Sequence, residues 1–291
     1  MERKVTPLSW QKDITNKLKS ESIGNDIILL DNFADVPIFY TPIKFDMMFV
    51  VVCTKGAVSG TVDLQPCKML SAPFAIIVRP NQILHYEYIS EDFAGYCLVL
   101  SSRFAPELLP IIDKQLSIAA AIKKQSYFQF DREGLHFVKK YFFMMKKIMA
   151  MTDNPYRLEM IKHLTMVFFY MAHPFFQKHI ETTKQTRQEE LVEQFTNLVH
   201  ENYRRERETA FYAERLNLTP KYLSQVVKTA TGKTASEWIN DFVILEVKAL
   251  LKSTNMTIQQ ICYELNFSSQ SFFGKYFKRI AGMSPKMYRE N

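Results

Sequence analysis

Near the C-terminal end of the chain the same helical punctuation is written twice, and this repetition limits the possible fold more than any other feature. In the first instance Thr219-Pro220 opens a short helix and Gly232 closes it. A hydroxyl residue followed by proline is a strong helix start: the side-chain oxygen takes up an orphan backbone N–H, and proline has no N–H to leave unpaired. A helix of about Thr209–Leu216 precedes it, with Phe211, Tyr212 and Leu216 inward, and Asn217-Leu218 makes the turn. In the second instance Thr257 caps a helix over Ile258–Leu265, with Ile261 and Leu265 inward. Asn266-Phe267 turns the chain, asparagine being a residue that tolerates left-handed backbone. Ser268 is then expected to cap a helix over Ser269–Arg279, ended by Gly282, and Ser284-Pro285 starts a last turn to Tyr288-Arg289.

A longer helix, about Ala235–Lys252, links the two instances, with Trp238, Phe242, Leu245, Ala249 and Leu250 as its apolar stripe. At 1.5 Å per residue it is ~27 Å long, close to one turn of duplex DNA at ~34 Å. One more helix, about Glu189–Tyr203, precedes the whole with Leu191, Phe195, Leu198 and Val199 on one face.

The short closing helices are two-sided. In the first, Leu223, Val226 and Val227 face inward while Lys221, Ser224, Gln225 and Lys228 face outward; in the second, Phe273, Phe277 and Ile280 are core while Gln270, Ser271, Lys275 and Lys278 face out. A helix seated by its apolar side, with donors and acceptors on the other, is what reading base edges in a major groove requires. Lys221, Ser224, Gln225, Gln270, Ser271 and Lys275 are the candidate base readers. Thr219, Lys228, Ser268, Lys278 and Arg279 are the candidate phosphate contacts, from flanking cations and helix starts. On an isolated helix each of these is equally an ordinary solvated residue; the doubled layout makes the set informative.

The N-terminal part has a different texture. From Asn25 to Leu100, β-branched and aromatic runs recur: 27–33, 45–53, 57–64, 74–78, 83–89 and 93–100. Lys55-Gly56, Ala72-Pro73 and Arg79-Pro80-Asn81 punctuate them, which predicts short strands in a sandwich or small barrel. Residues 1–24 read as a short helix or loose arm. After Ser101 the pattern is helical. Glu133–Met151 carries Val138, Tyr141, Met145 and Ile148 at helical spacing beside lysine pairs at 139/140 and 146/147. A second helix is expected from Pro155 to about Ala172, closed by His173-Pro174. It is apolar nearly all round, which predicts burial against the barrel, its neighbour or a second subunit. The polar stretch 179–188 reads as a linker between domains 1–178 and 189–291.

Charge alone does not locate a DNA site. The net charge is +7, but residues 1–102 sum to −2, 103–187 to +7 and 188–291 to +2. The four cysteines form no CxxC pair, which fits reduced thiols better than a disulfide framework. The start of the chain has no apolar leader core, and the longest apolar run, near Leu164–Ala172, is far below the ~20 residues a membrane helix needs. A cytoplasmic protein without a membrane partner is therefore expected.

The C-terminal motifs resemble the AraC/XylS family of bacterial transcription regulators. The resemblance is carried by Tyr222-Leu223-Ser224-Gln225, Gly232, Ala249-Leu250-Leu251, Ile258-Gln259-Gln260-Ile261, the run from Asn266 to Lys278, Gly282-Met283-Ser284-Pro285, and Tyr288-Arg289. It spans about residues 190–291. Departures fall at Val227, Val243, Val247 and Asn266, where the family usually has Phe, Arg, Ala and Gly. The resemblance implies a seven-helix DNA-binding domain whose third and sixth helices enter the major groove, with Phe272 on the exposed side against a thymine methyl. More weakly, Arg79-Pro80-Asn81 before His85 resembles the cupin-like sensor of the same family. The implied fold class is α+β: an N-terminal cupin-like β-barrel with appended helices, then an all-α domain of two helix-turn-helix units joined by a long helix.

The implied partners are double-stranded DNA, RNA polymerase, a second copy of the chain and a small-molecule effector held in the barrel. Phe49, His85, Tyr86, Tyr88 and Tyr96 are the candidate ligand pocket, although such aromatics also serve as plain core. No cofactor or metal is expected, because cupin metal sites use a His-x-His pair and this chain has none. No catalytic residue is assigned: no phosphate-binding glycine loop and no Gly-x-Ser-x-Gly elbow occurs. The rival readings are a regulator without a ligand, controlled by abundance or a protein partner; a cupin-type enzyme fused to a DNA-binding module; and a non-specific, histone-like DNA binder.

Overall fold

The computed structural model describes residues 20–31, 41–105, 122, 125–181 and 187–290. The rest of the expected arm, of the 101–178 helical region and of the 179–188 linker lies outside the described residues. The chain divides into two compact units, one running from residue 9 to 183 without Thr41–Lys44, the other holding Thr41–Lys44 and residues 184–291.

The N-terminal unit is built on antiparallel strands. β1 (Ser20–Ile23) and β2 (Ile27–Leu30) form a hairpin, so the described end of the expected arm is strand. A two-residue strand, β3 (Ile43–Lys44), belongs to the other unit. Then follow β4 (Met48–Lys55), β5 (Ala57–Val62), β6 (Gln65–Ser71), β7 (Phe74–Val78), β8 (Ile83–Ile89), β9 (Ala94–Leu100) and β10 (Tyr127–Gln129). The larger sheet runs β1-β2-β9-β4-β7-β10; in the second, β8, β5 and β6 are hydrogen-bonded in that order. Strands β6 and β10 were not expected: Pro66 and Lys68 interrupt the apolar pattern of the one, and the other is three residues inside a helical stretch.

Both faces of the larger sheet are covered. Side chains alternate across a strand, and on β4 Met48, Val50 and Val52 share one face while Phe49, Val51 and Cys53 share the other; all six pack inward, with Val50 only partly buried. The first face meets two helices, α1 (Arg132–Met149) and α2 (Arg157–Glu181). The second faces the smaller sheet, where Tyr86 of β8 lies near Cys97 of β9 and Cys67 of β6. Gly95 permits the close approach of β9 to β4, since a Cβ there would stand 1.9 Å from the Val52 carbonyl oxygen.

Helix α1 starts where Asp131 accepts from Gly134 N at 2.7 Å, and it buries Val138, Tyr141, Phe142, Met145, Ile148 and Met149. Helix α2 departs from expectation twice. It runs on through Pro174 to Glu181. Proline forfeits one backbone bond and strains the turn before it, but Ala172 is buried beside it and Phe175 lies 5.6 Å from the Phe130 ring, so packing carries the helix across. Nor is α2 buried all round: Val167, Tyr170 and Met171 are exposed, while Ile161, Thr165 and Ala172 are covered.

In the C-terminal unit the remaining helices are α3 (Arg187–Asn202), α4 (Thr209–Arg215), α5 (Pro220–Thr231), α6 (Ala235–Ser253), α7 (Ile258–Glu264), α8 (Gln270–Ala281) and α9 (Pro285–Glu290). Helix α6 is the hub. It is held at its start by a capping box, Thr234 with Glu237, and it is buried on more than the expected stripe: Ile239, Val243, Ile244, Val247 and Leu251 are all covered.

Candidate functional site

The two helix-turn-helix units are α4-α5 and α7-α8. Each turn passes through an asparagine in the left-handed region, Asn217 at φ 55° and Asn266 at φ 50°. Asparagine takes that backbone more readily than other residues with a Cβ, so the turn chemistry is the same in both.

Each second helix is fixed at both ends. Thr219 Oγ1 accepts from Tyr222 N at 3.2 Å, and Pro220 opens α5. Ser269 Oγ accepts from Phe272 N at 3.1 Å and opens α8. The cap of the second unit is therefore Ser269, and the expected cap, Ser268, is an exposed residue one step earlier in the turn. The second unit has one more residue between asparagine and helix than the first, which a reading from the first unit's spacing misplaces. Both helices end on glycine at φ 79° and 78°, Gly232 and Gly282, and each donates its N–H at 2.9 Å to the carbonyl of Lys228 or Lys278.

Between these ends the apolar faces are seated: Leu223, Val226 and Val227 in α5, and Phe273, Tyr276 and Phe277 in α8. Lys221, Gln225 and Lys228 on α5 are exposed, as are Gln270, Ser271, Lys275, Lys278 and Arg279 on or beside α8, with Thr219 and Ser268 at the turns. Ser224 differs from the other candidate readers. It is half-buried, and its hydroxyl oxygen accepts from Ala235 N at 3.3 Å, which turns it toward the start of α6. Matching the two helices by their caps places Tyr222, 48% exposed, at the position of Phe272, 52% exposed, so both heads present an outward aromatic ring. The sequence reading noted Phe272 and missed its partner, because the shift at Ser268 hides the correspondence. The same matching sets Lys221 against Ser271 and Gln225 against Lys275, so the two heads offer different hydrogen-bonding groups.

A second site lies in the N-terminal unit. A cavity of about 320 Å³ opens between the helix-facing side of the larger sheet and helices α1 and α2. Met48, Val50, Val52, Ala75 and Ile77 form its floor, and Tyr141, Met145, Thr165, Phe168 and Ala172 are among the residues of its roof. None of the five expected pocket residues lines it. Phe49 and Tyr86 are buried, Phe49 with its ring 4.4 Å from that of Phe45. His85 is half-buried on β8 opposite Thr61, and Tyr88 is 46% exposed. Tyr96 packs 5.4 Å from the Phe142 ring without reaching the cavity. The described cavity instead lies on the helix-facing side of the larger sheet, away from Phe49, His85, Tyr86 and Tyr88.

A family model described as a helix-turn-helix domain matches residues 212–291, which takes in α5 to α9 and both second helices. The HTH-type transcriptional activator RhaS of Pectobacterium carotovorum subsp. carotovorum (strain PC1) is 23% identical over 247 residues, 84% of this chain and 85% of its own. The C-terminal unit thus carries a helix-turn-helix domain, and most of the chain is similar to a transcriptional activator. A further relative, the HTH-type regulator YtdP of Bacillus subtilis (strain 168), is 28% identical over 94 residues, 32% of this chain; the chain spans only 12% of YtdP. The crystal structure of ToxT from Vibrio cholerae O395 is 16% identical and covers 91% of this chain and 95% of its own, with a TM-score of 0.42. The departures from the usual AraC/XylS pattern sit where the structure accommodates them. Val227, Val243 and Val247 are fully buried, and Asn266 holds the turn where glycine is usual. Among the described residues no helix is long and apolar enough to cross a membrane.

Proposed function

We propose that this chain is a sequence-specific regulator of transcription that works on double-stranded DNA in the cytoplasm, with α5 and α8 as its reading helices and a small molecule in the N-terminal unit gating it. The observation that carries the DNA reading is the pair of helices with the same caps, the same glycine ends and seated apolar faces, each exposing a polar edge. In this reading Lys221 and Gln225 of α5, and Gln270, Ser271 and Lys275 of α8, contact base edges, the donor and acceptor types that major-groove readout uses. Ser224, turned toward α6, contributes through the position of its helix. Thr219, Lys228, Ser268, Lys278 and Arg279 lie against phosphates and fix the register. Because the two heads carry different side chains, their half-sites differ in sequence.

The gating reading is supported by the apolar cavity, and it couples domains 1–178 and 189–291 across the stretch between α2, which runs to Glu181, and α3, which starts at Arg187. A second copy of the chain and RNA polymerase are the protein partners; apolar side chains exposed on α1 and α2, Phe143, Met144, Val167 and Met171, favour self-association. The chain is read as a regulator rather than an enzyme. Selection of bound duplexes from a random library by the full chain tests the proposal. A compact pair of unlike half-sites in successive major grooves is the expected result, and equal retention of all sequences overturns it.

A further inference from the structure

Resting on the reading that a small molecule gates this protein, we propose that the cavity between the larger sheet and α1/α2 takes an uncharged, largely hydrophobic molecule carrying one hydrogen-bond donor, which is received by the phenol oxygen of Tyr141. Three observations lead there.

The walls are aliphatic and aromatic almost throughout: Met48, Val50, Val52, Leu98 and Leu100 from the sheet face Val138, Met145, Phe168 and Phe175 from the helices. Among the described lining residues the sole charged side chain is that of Glu133, exposed in the first turn of α1. A charged ligand of either sign enters the interior without a counter-charge and loses its hydration, which is strongly unfavourable. An anion also meets the like charge of Glu133.

The interior polar groups form one chain with a defined direction. Thr165 Oγ1 donates its single proton to the Ile161 carbonyl at 2.7 Å. The 2.8 Å contact between Tyr141 and Thr165 must then be donated by the Tyr141 hydroxyl. What remains in this pair is acceptor capacity alone, a lone pair on the Tyr141 oxygen at the head of the chain and one on Thr165 Oγ1. A ligand hydroxyl or N–H matches it; a ligand carbonyl or ether does not. Burial pushes the Tyr141 phenol up to about 12, so the ring stays neutral.

The third observation is size. About 320 Å³ is at the small end of ligand pockets, which span ~300–1,000 Å³. One or two fused rings, or a short branched chain, fill it.

The test is a fluorescence titration of the full chain with N-methyl-1-naphthylamine, a neutral probe of two fused rings with one N–H. Saturable binding at one site per chain is expected. Naphthol should displace the probe, whereas naphthoate and naphthylmethylammonium, the same rings with a charge, should need at least about tenfold more. Ala172→Trp, which fills the roof, should weaken the probe at least about tenfold while the melting temperature holds; if that variant does not fold, Ala75→Phe fills the floor instead. Tyr141→Phe should weaken naphthol and leave naphthalene, which has no donor, unchanged. Equal displacement by the charged analogues, undiminished binding in a folded filled variant, or equal loss of naphthol and naphthalene in Tyr141→Phe overturns the proposal. No arm of this experiment contains DNA. Failure of sequence-selective DNA binding sinks the regulator reading and leaves the cavity result standing, and the reverse holds equally.

Discussion

Glu246 shows at the scale of one residue how the hub helix is held. Its carboxylate is 1% exposed in the middle of α6, with Lys44 Nζ 2.6 Å from Oε1 and Arg204 3.5 Å away. Oε2 has no hydrogen-bond partner among the described residues. Such a group is stable because the cations offset its lost hydration, and removing it strands them. Glu246→Ala should therefore destabilise the protein by about 3–5 kcal/mol, a range typical of breaking a buried pair. Denaturant unfolding of the full chain measures this, and a change below about 1 kcal/mol would show that the pair is solvated in practice. Nearby, burial lifts the Tyr203 phenol far above its ordinary range, so it stays protonated beside that carboxylate. On the reading edges the expected effects are on binding, not folding. Gln270→Ala or Lys275→Ala should each cost ~1–3 kcal/mol on the selected duplex and relax choice at one or two base pairs. If either loses the same affinity on every sequence, that side chain touches phosphate only.

At the scale of the element, the second head separates two adjacent serines. Ser269 caps α8, while Ser268 is an exposed turn residue. Ser269→Ala should cost about 1 kcal/mol of stability, the usual cost of losing a hydroxyl cap. Ser268→Ala should leave the melting temperature where it is and lower affinity for DNA slightly and uniformly. Interchanged results would return the cap to Ser268. The seated faces impose a harder limit: Leu223 and Phe273 are fully buried. Cutting either to alanine removes ~2–5 kcal/mol of packing and with it the orientation of the edge it supports. Helix α2 makes the complementary point, since buried Ala172 and the packing of Phe175 on Phe130 carry it past a proline that local rules would make its end.

For the whole molecule, charge sets the range of action. The formal net charge is +7, and in the proposed function the exposed lysines on α5 and α8 displace counterions from the duplex. The logarithm of the binding constant should fall linearly with that of salt concentration, with a slope of about −0.9 per phosphate neutralised. Lys228→Ala and Lys278→Ala should each lower that slope by about one in a salt-titrated gel shift; a flat response in the parent chain would sink the DNA reading. Much of the C-terminal unit was legible beforehand because its signals are local. Thr219-Pro220, Thr257, Gly232 and Gly282 act through the backbone within a few residues of themselves, and the 3.6-residue period marks which side is buried. Ser268 was misplaced because a one-residue insertion in a turn leaves no periodic trace. The cavity was not legible, and the expected pocket residues do not line it. Both faces of the larger sheet are apolar, so alternation along β4 says that Met48 and Phe49 point opposite ways but not which side is filled. The two helical heads and most of their outward side chains could be read from the amino-acid order, since capping and turns are short-range, while Tyr222 and Ser224 could not. Tertiary structure alone decided where empty space remains and which buried charges meet, because both depend on segments brought together from far apart in the chain.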